Sequence, residues 1–294
     1  MVVKLQTLNN VAIEVSGIDI SQPDTYDGIK EALETHLVVI IREQPTDPFY
    51  FTQLIQSINP IANWQQCIWD EEGNQIGPPR THDQPFHNVQ RVTGEKRNGE
   101  STGIFGVGKL DWHANLNGPD RADGVALQGI KGVEGTVTSW LNTALALEHM
   151  PEDLKTRIED VYCSYYYNVL NWADIEYEVQ KAYLANRQAP YEMWLEQENI
   201  AGVKGLYFYP NNDCQMQTDD VDLFQDLKDY IFQEQFMYHH EWQIGDIVLS
   251  DQLLTLHKRQ LREDEVFRNR VLHRLTFPIS NTGNPKRLEL LNQI

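Results

Sequence analysis

Residues 270–277, RVLHRLTF, place arginine and apolar side chains in alternation. Side chains two residues apart in a strand point to the same face, so Arg270, Leu272 and Arg274 share one face and His273 points to the other. Apolar residues separate the arginines, unlike in a solvated basic surface, and a buried guanidinium needs an anionic partner. The segment therefore predicts a buried strand whose two cations face an anion.

Apolar spacing elsewhere predicts a mixture of strands and helices along the chain. Helices are predicted at residues 26–37 and 48–58 and in the second part of 136–160, where Pro151 marks a helix start. Strands are predicted in HLVVIIREQ (36–44), at 88–93, at the start of 136–160, at 242–247 and at 271–279. No shift in composition marks a boundary, so one domain over residues 1–294 is predicted, a β core with flanking helices.

Composition restricts the partners and the compartment. The 43 acidic residues exceed the 24 basic ones, and a net charge of −19 disfavours nucleic acid and anionic membranes. No apolar run of about 18 residues predicts a transmembrane helix, and the N-terminal residues lack the apolar core of a secretion signal. Three widely spaced cysteines argue against a disulfide framework, so we expect a cytoplasmic protein with a small-molecule substrate, and a homo-oligomer is compatible with the sequence.

The segment LDWHANLNG, residues 110–118, suggests a metal site. His113 and Asn115 would project together from an extended chain. Two imidazoles and one oxygen ligand on one face suit a non-haem Fe(II) centre with open positions. A second imidazole must then come from a distant residue, and the candidates are His82, His87, His239, His240, His257 and His273.

Several spaced motifs resemble the taurine/2-oxoglutarate dioxygenase family. They are GIDISQP, the strand HLVVIIREQ, the triplet His113-Ala114-Asn115, GTVTSW with Thr138, GDIVLSDQLLTLHKRQ with His257, and FRNRVLHRLTF. The family motif is His-x-Asp/Glu, a Thr about two dozen residues later, a distant His, and an Arg ten to thirteen residues beyond it. Here Arg270 lies thirteen residues after His257 (270 − 257).

The resemblance implies a double-stranded β-helix, or jelly roll, with flanking helices and a lid insertion. It implies Fe(II), 2-oxoglutarate and O2 as cofactors and a hydroxylated small polar substrate, amino-acid-like in character. His113, His257 and Asn115 would bind the metal. Thr138 and Arg270 would bind the far carboxylate of 2-oxoglutarate, with Arg268 as a second choice, and Arg274 would lie in the pocket.

Asn115 departs from the family motif, which has Asp or Glu at this position. An amide oxygen, unlike a carboxylate, cancels none of the metal's charge. Four explanations stay open at this point. Asn115 coordinates and the enzyme still oxygenates; an anion such as chloride fills the position, as in related radical halogenases; Asp111 or Asp120 replaces the missing carboxylate; or the protein is a catalytically impaired binding protein on the same fold.

Two further regions invite interpretation. The triplet His239-His240-Glu241 also fits H-x-E, but no Thr and His follow it at workable spacing, so a plain strand is favoured. The aromatic segment VYCSYYYNVLNWADIEY, residues 161–177, falls in the predicted lid insertion at 162–215, where it either covers the substrate or packs on the core. His87, Asn88 and Lys109 are predicted at the edge of the pocket.

Overall fold

The structure is a computed structural model that describes residues 4–58, 68–69, 75–77, 89–98, 100–101, 103, 105, 110–115, 123–165, 191–210, 214–260 and 269–279. Several residues named from the sequence lie outside these ranges: His82, His87, Asn88, Lys109, Asp120 and Arg268. Within the described part, no helix has the length and apolarity needed to cross a membrane.

The described strands are β1 Lys4–Leu8, β2 Ala12–Ser16, β3 Val38–Ile41, β4 Ile68–Trp69, β5 Gln75–Gly77, β6 Gln90–Thr93, β7 Lys96–Arg97, β8 Glu100–Ser101, β9 Leu110–His113, β10 Gly124–Lys131, β11 Val137–Asn142, β12 Tyr162–Tyr165, β13 Tyr191–Trp194, β14 Glu196–Glu198, β15 Lys204–Leu206, β16 Cys214–Gln217, β17 Met237–Glu241, β18 Ile247–Asp251, β19 Thr255–Arg259 and β20 Val271–Phe277. The described α-helices are α1 Asp27–His36, α2 Pro48–Ile58, α3 Thr143–Glu148, α4 Glu152–Ile158 and α5 Leu223–Ile231.

Two sheets form the core. One has the strand order β1-β2-β3-β18-β10-β20-β6 and the other has the order β17-β11-β19-β9. Apolar side chains from both sheets belong to one buried cluster, among them Leu127 of β10, Val248 of β18 and Trp140 of β11. Two sheets that share an interior form the double-sheet arrangement of a jelly roll. The predicted class, mainly β with flanking helices, is confirmed.

Helices and loops cover the outer faces of both sheets. On the seven-stranded sheet, Ile29 of α1 and Leu54 of α2 share a buried cluster with Val39 of β3. Because β3 also sends Val38 and Ile40 into the interior, its uninterrupted apolar run reflects burial on both faces. On the four-stranded sheet, residues of α3, α4 and α5 pack with the β12–β16 region.

The structure contains most of the predicted helices and strands, and local interactions explain where several of them begin. The two predicted N-terminal helices are α1 and α2, and the strand predicted at 88–93 is β6. β11 passes directly into α3, because the side chain of Asn142 accepts a hydrogen bond from the backbone N–H of Leu145 at 2.9 Å and caps the helix. Pro151 immediately precedes α4, as predicted.

The strand predicted at residues 242–247 is wrong. β17 ends at Glu241, and a turn connects it to β18. Gly245 adopts a φ of +85° in this turn, and a Cβ there would lie 2.5 Å from the carbonyl oxygen of Gln44. The backbone at Gly245 is in the left-handed region, which only glycine adopts at low cost. This segment is therefore a turn, although its alternating polar and apolar residues resemble a strand.

The predicted lid insertion lies between α4 and α5. Its described residues form a three-stranded sheet in the order β13-β12-β16 and a hairpin of β14 with β15. Residues 166–190, which hold most of the aromatic segment, lie outside the described residues. Tyr165, Tyr207 and Tyr209 are buried in the cluster that contains Trp112 and Ala114 of the core. The described part of the insertion thus packs on the core, and its function as a lid stays a prediction.

Candidate metal and cosubstrate site

Two histidines 144 positions apart in the chain (257 − 113) lie side by side. β9 pairs antiparallel with β19, and in this register His113 is opposite His257. Their ring centroids are 4.2 Å apart and their planes are inclined by 48°. The ring of His257 also stacks on Trp140 of β11, with centroids 6.3 Å apart and planes within 22°. Strand pairing and stacking therefore bring both imidazoles to one location.

His113 is in the protonation state that a metal ligand needs. Its Nδ1 lies 2.6 Å from the carbonyl oxygen of Asp111. A carbonyl oxygen can only accept, so Nδ1 carries the proton and Nε2 keeps its lone pair. Burial is the main cause that lowers the pKa of His113 to about 4, and the charges of Arg274 and Arg259 add to the effect. The imidazole is therefore neutral at pH 7.

His257 is buried, and its environment fits a metal ligand. Burial first, and then the neighbouring His113 and Arg274, hold the pKa of His257 well below its usual value. Within the described residues, its Nδ1 is buried without a hydrogen-bond partner. An unsatisfied buried nitrogen costs about 1–3 kcal/mol. A cation that coordinated Nδ1 itself would offset such a cost.

Asn115 lies two residues beyond His113 and lines the same small cavity of about 40 Å³, which we call the central cavity. Its backbone N–H and its side-chain Nδ2 donate to Oε1 of Gln252, at 3.0 and 3.1 Å. Asp111 does not line this cavity, and its carboxylate accepts from the backbone N–H of Trp112 at 3.0 Å. The structure therefore brings the amide, and not Asp111, to the two imidazoles.

Thr138 faces the central cavity from β11. Its Oγ1 accepts a hydrogen bond from Nε1 of Trp242 at 2.9 Å. An indole nitrogen can only donate, so the hydroxyl hydrogen of Thr138 remains available for an acceptor in the cavity. The side chain can thus act as the donor that the sequence analysis assigned to it.

Arg270 and Arg274 line the central cavity together with Leu272, as the alternation of this strand predicts. Arg270 is 3% exposed. Burial first, and then the charge of Arg259, lower the pKa of Arg270 to about 9, so the guanidinium is charged at neutral pH. Arg274 donates to Oε1 of Gln90. Buried cations clustered around one cavity favour an anionic ligand.

All six residues selected from the sequence therefore line one cavity: His113, Asn115, Thr138, His257, Arg270 and Arg274. Residues 4–276 match the model of the taurine catabolism dioxygenase TauD, TfdA family. The chain belongs to the TauD, TfdA family. The resemblance inferred from the motifs is confirmed.

Individual proteins and solved structures are similar to the chain at low identity. Pentalenolactone F synthase from Streptomyces avermitilis is 25% identical over 204 residues, which are 60% of this chain and 64% of that protein, so the match spans less than two thirds of the relative. The structure of a taurine dioxygenase from Burkholderia xenovorans superposes with a TM-score of 0.66 at 17% identity, over 94% of this chain and 89% of that one. The structure of AAD-2 in complex with Mn(II) and N-oxalylglycine superposes with a TM-score of 0.64 at 18% identity, over 97% of this chain and 100% of that one. Both structures share the fold of this TauD, TfdA family chain.

The other described histidines lie away from the central cavity. His239 bonds Glu234 through Nε2 at 2.8 Å and Ser139 through Nδ1 at 2.7 Å. Nε2 of His240 lies 3.0 Å from Asp246. In this TauD, TfdA family member, the H-x-E triplet of β17 is therefore part of a plain strand, as the sequence analysis favoured.

Two polar residues at the site were not predicted from the sequence. Arg259 lines the central cavity, and its Nη1 donates to the carbonyl oxygen of Phe105 at 2.6 Å. Its position two residues after His257 on the same strand is a signal that could have identified it. Gln252 contacts Asn115 from the turn between β18 and β19, and local sequence spacing gives no signal for that contact.

Proposed function

We propose that this chain is an Fe(II)- and 2-oxoglutarate-dependent oxygenase that hydroxylates a C–H bond of a small polar substrate. The observation that carries the proposal is the convergence of two neutral imidazoles, a threonine hydroxyl and a buried guanidinium on one cavity. The two imidazoles suit an iron ion, and the hydroxyl and the guanidinium suit the far carboxylate of a dicarboxylic keto acid. The complex of AAD-2 with Mn(II) and N-oxalylglycine supports this choice of ligands.

In this proposal His113, His257 and Asn115 hold the iron. When bound, Fe(II) and 2-oxoglutarate would supply the activation of O2, coupled to oxidative decarboxylation of the keto acid. The chain's own residues orient these groups. Nδ1–H of His113 donates to the carbonyl of Asp111 and keeps Nε2 available as a ligand. Arg270 and Thr138 then fix the far carboxylate through charge and a hydrogen bond.

The charge balance of the site distinguishes this protein from relatives with a metal-binding carboxylate. The proposed protein ligands are all neutral, and Arg259, Arg270 and Arg274 surround them with positive charge. A dication and three guanidiniums in one cavity repel each other. The dianionic keto acid would compensate two of these five positive charges, so we infer that metal and cosubstrate bind cooperatively.

A radical halogenase is the second candidate function. The neutral side chain of Asn115 and the nearby guanidiniums leave a position where a chloride ion would be electrostatically favoured. The size of the asparagine opposes this, because a halide needs room beside the metal. Product mass after turnover in chloride buffer distinguishes the two reactions, since hydroxylation adds oxygen and halogenation replaces hydrogen with chlorine.

The proposed substrate is a small polar molecule in the cytoplasm. The acidic composition, with a net charge of −19, supports a partner other than nucleic acid or an anionic membrane. The guanidiniums that line the central cavity support a substrate with an anionic group, such as the carboxylate of an amino acid.

An anaerobic titration with Fe(II) and 2-oxoglutarate tests the proposal. We expect the weak visible charge-transfer band of a chelated keto acid, and succinate release once O2 is admitted with substrate. Binding of both ligands without succinate release under any substrate would favour a binding protein on the same fold. Failure to bind metal in the presence of 2-oxoglutarate would reject the iron site itself.

A further inference from the structure

Gln252 lies in the segment that connects the two sheets. It lies in the turn between β18 and β19, and its side chain is fully buried. Its backbone N–H donates to the carbonyl of Asp123 at 2.7 Å. Its Nε2 donates to Oγ of Ser250 at 2.9 Å, and its Oε1 accepts twice from Asn115. Both ends of this amide are therefore engaged.

These contacts determine the orientation of the Gln252 amide. The backbone N–H of Asn115 can only donate, so the atom of Gln252 that lies 3.0 Å from it must be the carbonyl oxygen. The same oxygen lies 3.1 Å from the side chain of Asn115. Asn115 must therefore present its NH2 group to Gln252. The Oδ1 atom of Asn115 is then the polar atom left for other partners.

We propose that Gln252 is a positioning residue that orients the Asn115 amide so that Oδ1 is available to the metal. This inference rests on the proposed function, because it assumes that His113 and His257 bind an ion beside Asn115. Under it, Asn115 is a neutral oxygen ligand with a dedicated partner. The asparagine that replaces the family's carboxylate is then matched by a second residue, Gln252, which orients it.

A carboxylate fits the same surroundings poorly. With aspartate at position 115, a carboxylate oxygen would face Oε1 of Gln252, and two acceptors would repel each other. Rotating the Gln252 amide would relieve that contact but would bring its NH2 group against the backbone N–H of residue 115. Neither orientation satisfies both groups, so the buried glutamine matches an amide better than an acid.

A double-mutant cycle on metal affinity tests the inference. Co(II) dissociation constants would be measured with 2-oxoglutarate present for the wild type, Gln252→Leu, Asn115→Ala and the double variant. Removing a side chain that orients a metal ligand typically weakens binding by about 10–100-fold. We expect a loss in this range for Gln252→Leu, and we expect the double variant to bind no more weakly than Asn115→Ala.

Two further variants separate positioning from folding. Gln252→Glu keeps an acceptor for both donors of Asn115, so it should bind Co(II) at least as tightly as the wild type. Gln128→Leu removes another fully buried glutamine, whose Nε2 donates to the carbonyl of Pro45 at 2.8 Å outside the central cavity. It should leave Co(II) affinity and the visible Co(II) spectrum unchanged, whatever its effect on the melting temperature.

The outcomes distinguish this inference from the proposed function. A wild type that binds no Co(II) rejects the proposed function. If the wild type binds Co(II), and Gln252→Leu weakens binding by the same factor in the Asn115→Ala background as in the wild type, the positioning role is overturned. The proposed function then stands. If Gln252→Leu does not fold, Gln252→Met replaces it in the cycle. A loss of more than about tenfold in Gln252→Met that Gln252→Glu does not show supports the role, and unchanged affinity in Gln252→Met rejects it.

Discussion

His113 and His257 lie opposite each other on paired strands, with ring centroids 4.2 Å apart. If both rings bind the proposed metal, loss of either one should lower metal affinity. We expect His257→Ala to abolish measurable Co(II) binding, because the remaining ligands are one imidazole and one amide. Isothermal titration with Co(II) and 2-oxoglutarate measures this. His239→Ala removes a histidine outside the central cavity and serves as the control, and equal losses in both variants would contradict the assignment.

Metal and 2-oxoglutarate should bind cooperatively, because the proposed ligands from the chain are neutral. We expect 2-oxoglutarate to raise Co(II) affinity by at least about tenfold, a coupling near 1.4 kcal/mol. Asn115→Asp should raise Co(II) affinity in the absence of 2-oxoglutarate and reduce this coupling, since the new carboxylate compensates part of the charge. Unchanged or weaker metal binding by Asn115→Asp, if it persists when Gln252→Leu removes the opposing Oε1, would show that this side chain does not contact the ion.

Thr138 should donate to the far carboxylate of 2-oxoglutarate. Thr138→Val keeps the shape but loses the hydroxyl, and a hydrogen bond to a charged group contributes about 1.5–3 kcal/mol. We expect 2-oxoglutarate affinity to fall by about 10–100-fold in titrations of the Co(II)-loaded protein. Trp242→Phe removes the donor to Thr138 and keeps the hydroxyl, so it should retain most of the affinity. Equal effects of the two substitutions would argue for a packing role.

Arg270 should supply a planar pair of donors as well as charge. Arg270→Leu should abolish measurable 2-oxoglutarate binding. Arg270→Lys keeps the charge but cannot form two parallel hydrogen bonds, so we expect an intermediate affinity. Fluorescence or calorimetric titration of the Co(II)-loaded variants provides the comparison. Full binding by Arg270→Leu would shift the assignment to Arg268 or Arg274.

His273 should make the protein sensitive to acid. Burial, and then the charge of Arg91, lower the pKa of His273 from 6.5 to about 4. The unfolded chain therefore binds a proton that the folded chain excludes, so stability is lost as pH falls from about 6.5 to about 4. The largest contribution is about 3 kcal/mol. Urea unfolding of His273→Leu across this range should show a smaller decline than the wild type, and an identical decline would contradict the assignment.

The local patterns of the sequence predict much of this structure. Apolar periodicity predicts α1 and α2, because each helix buries one face against a sheet. Strand alternation places Arg270 and Arg274 on the cavity face, because the two-residue repeat of a strand is a local property. The turn at Gly245 is missed because its alternating polarity resembles a strand while its backbone does not.

Contacts between distant segments explain the rest. The pairing of β9 with β19 contains a register shift between His257 and Arg259, so the facing residues cannot be counted from either strand alone. Gln252 meets Asn115 across 137 positions, through a turn whose location depends on the packing of both sheets. The ligand motif is readable in the sequence, whereas the residue that orients one ligand requires the fold.

The pairing of β9 with β19 also has a consequence for the stability of the protein. An ion held by His113 and His257 would join two segments 144 positions apart (257 − 113), as a removable cross-link does. A ligand that binds only the folded chain stabilises it in proportion to the logarithm of its concentration. Withdrawal of the ion would then remove this cross-link and lower the free energy of unfolding of the whole chain.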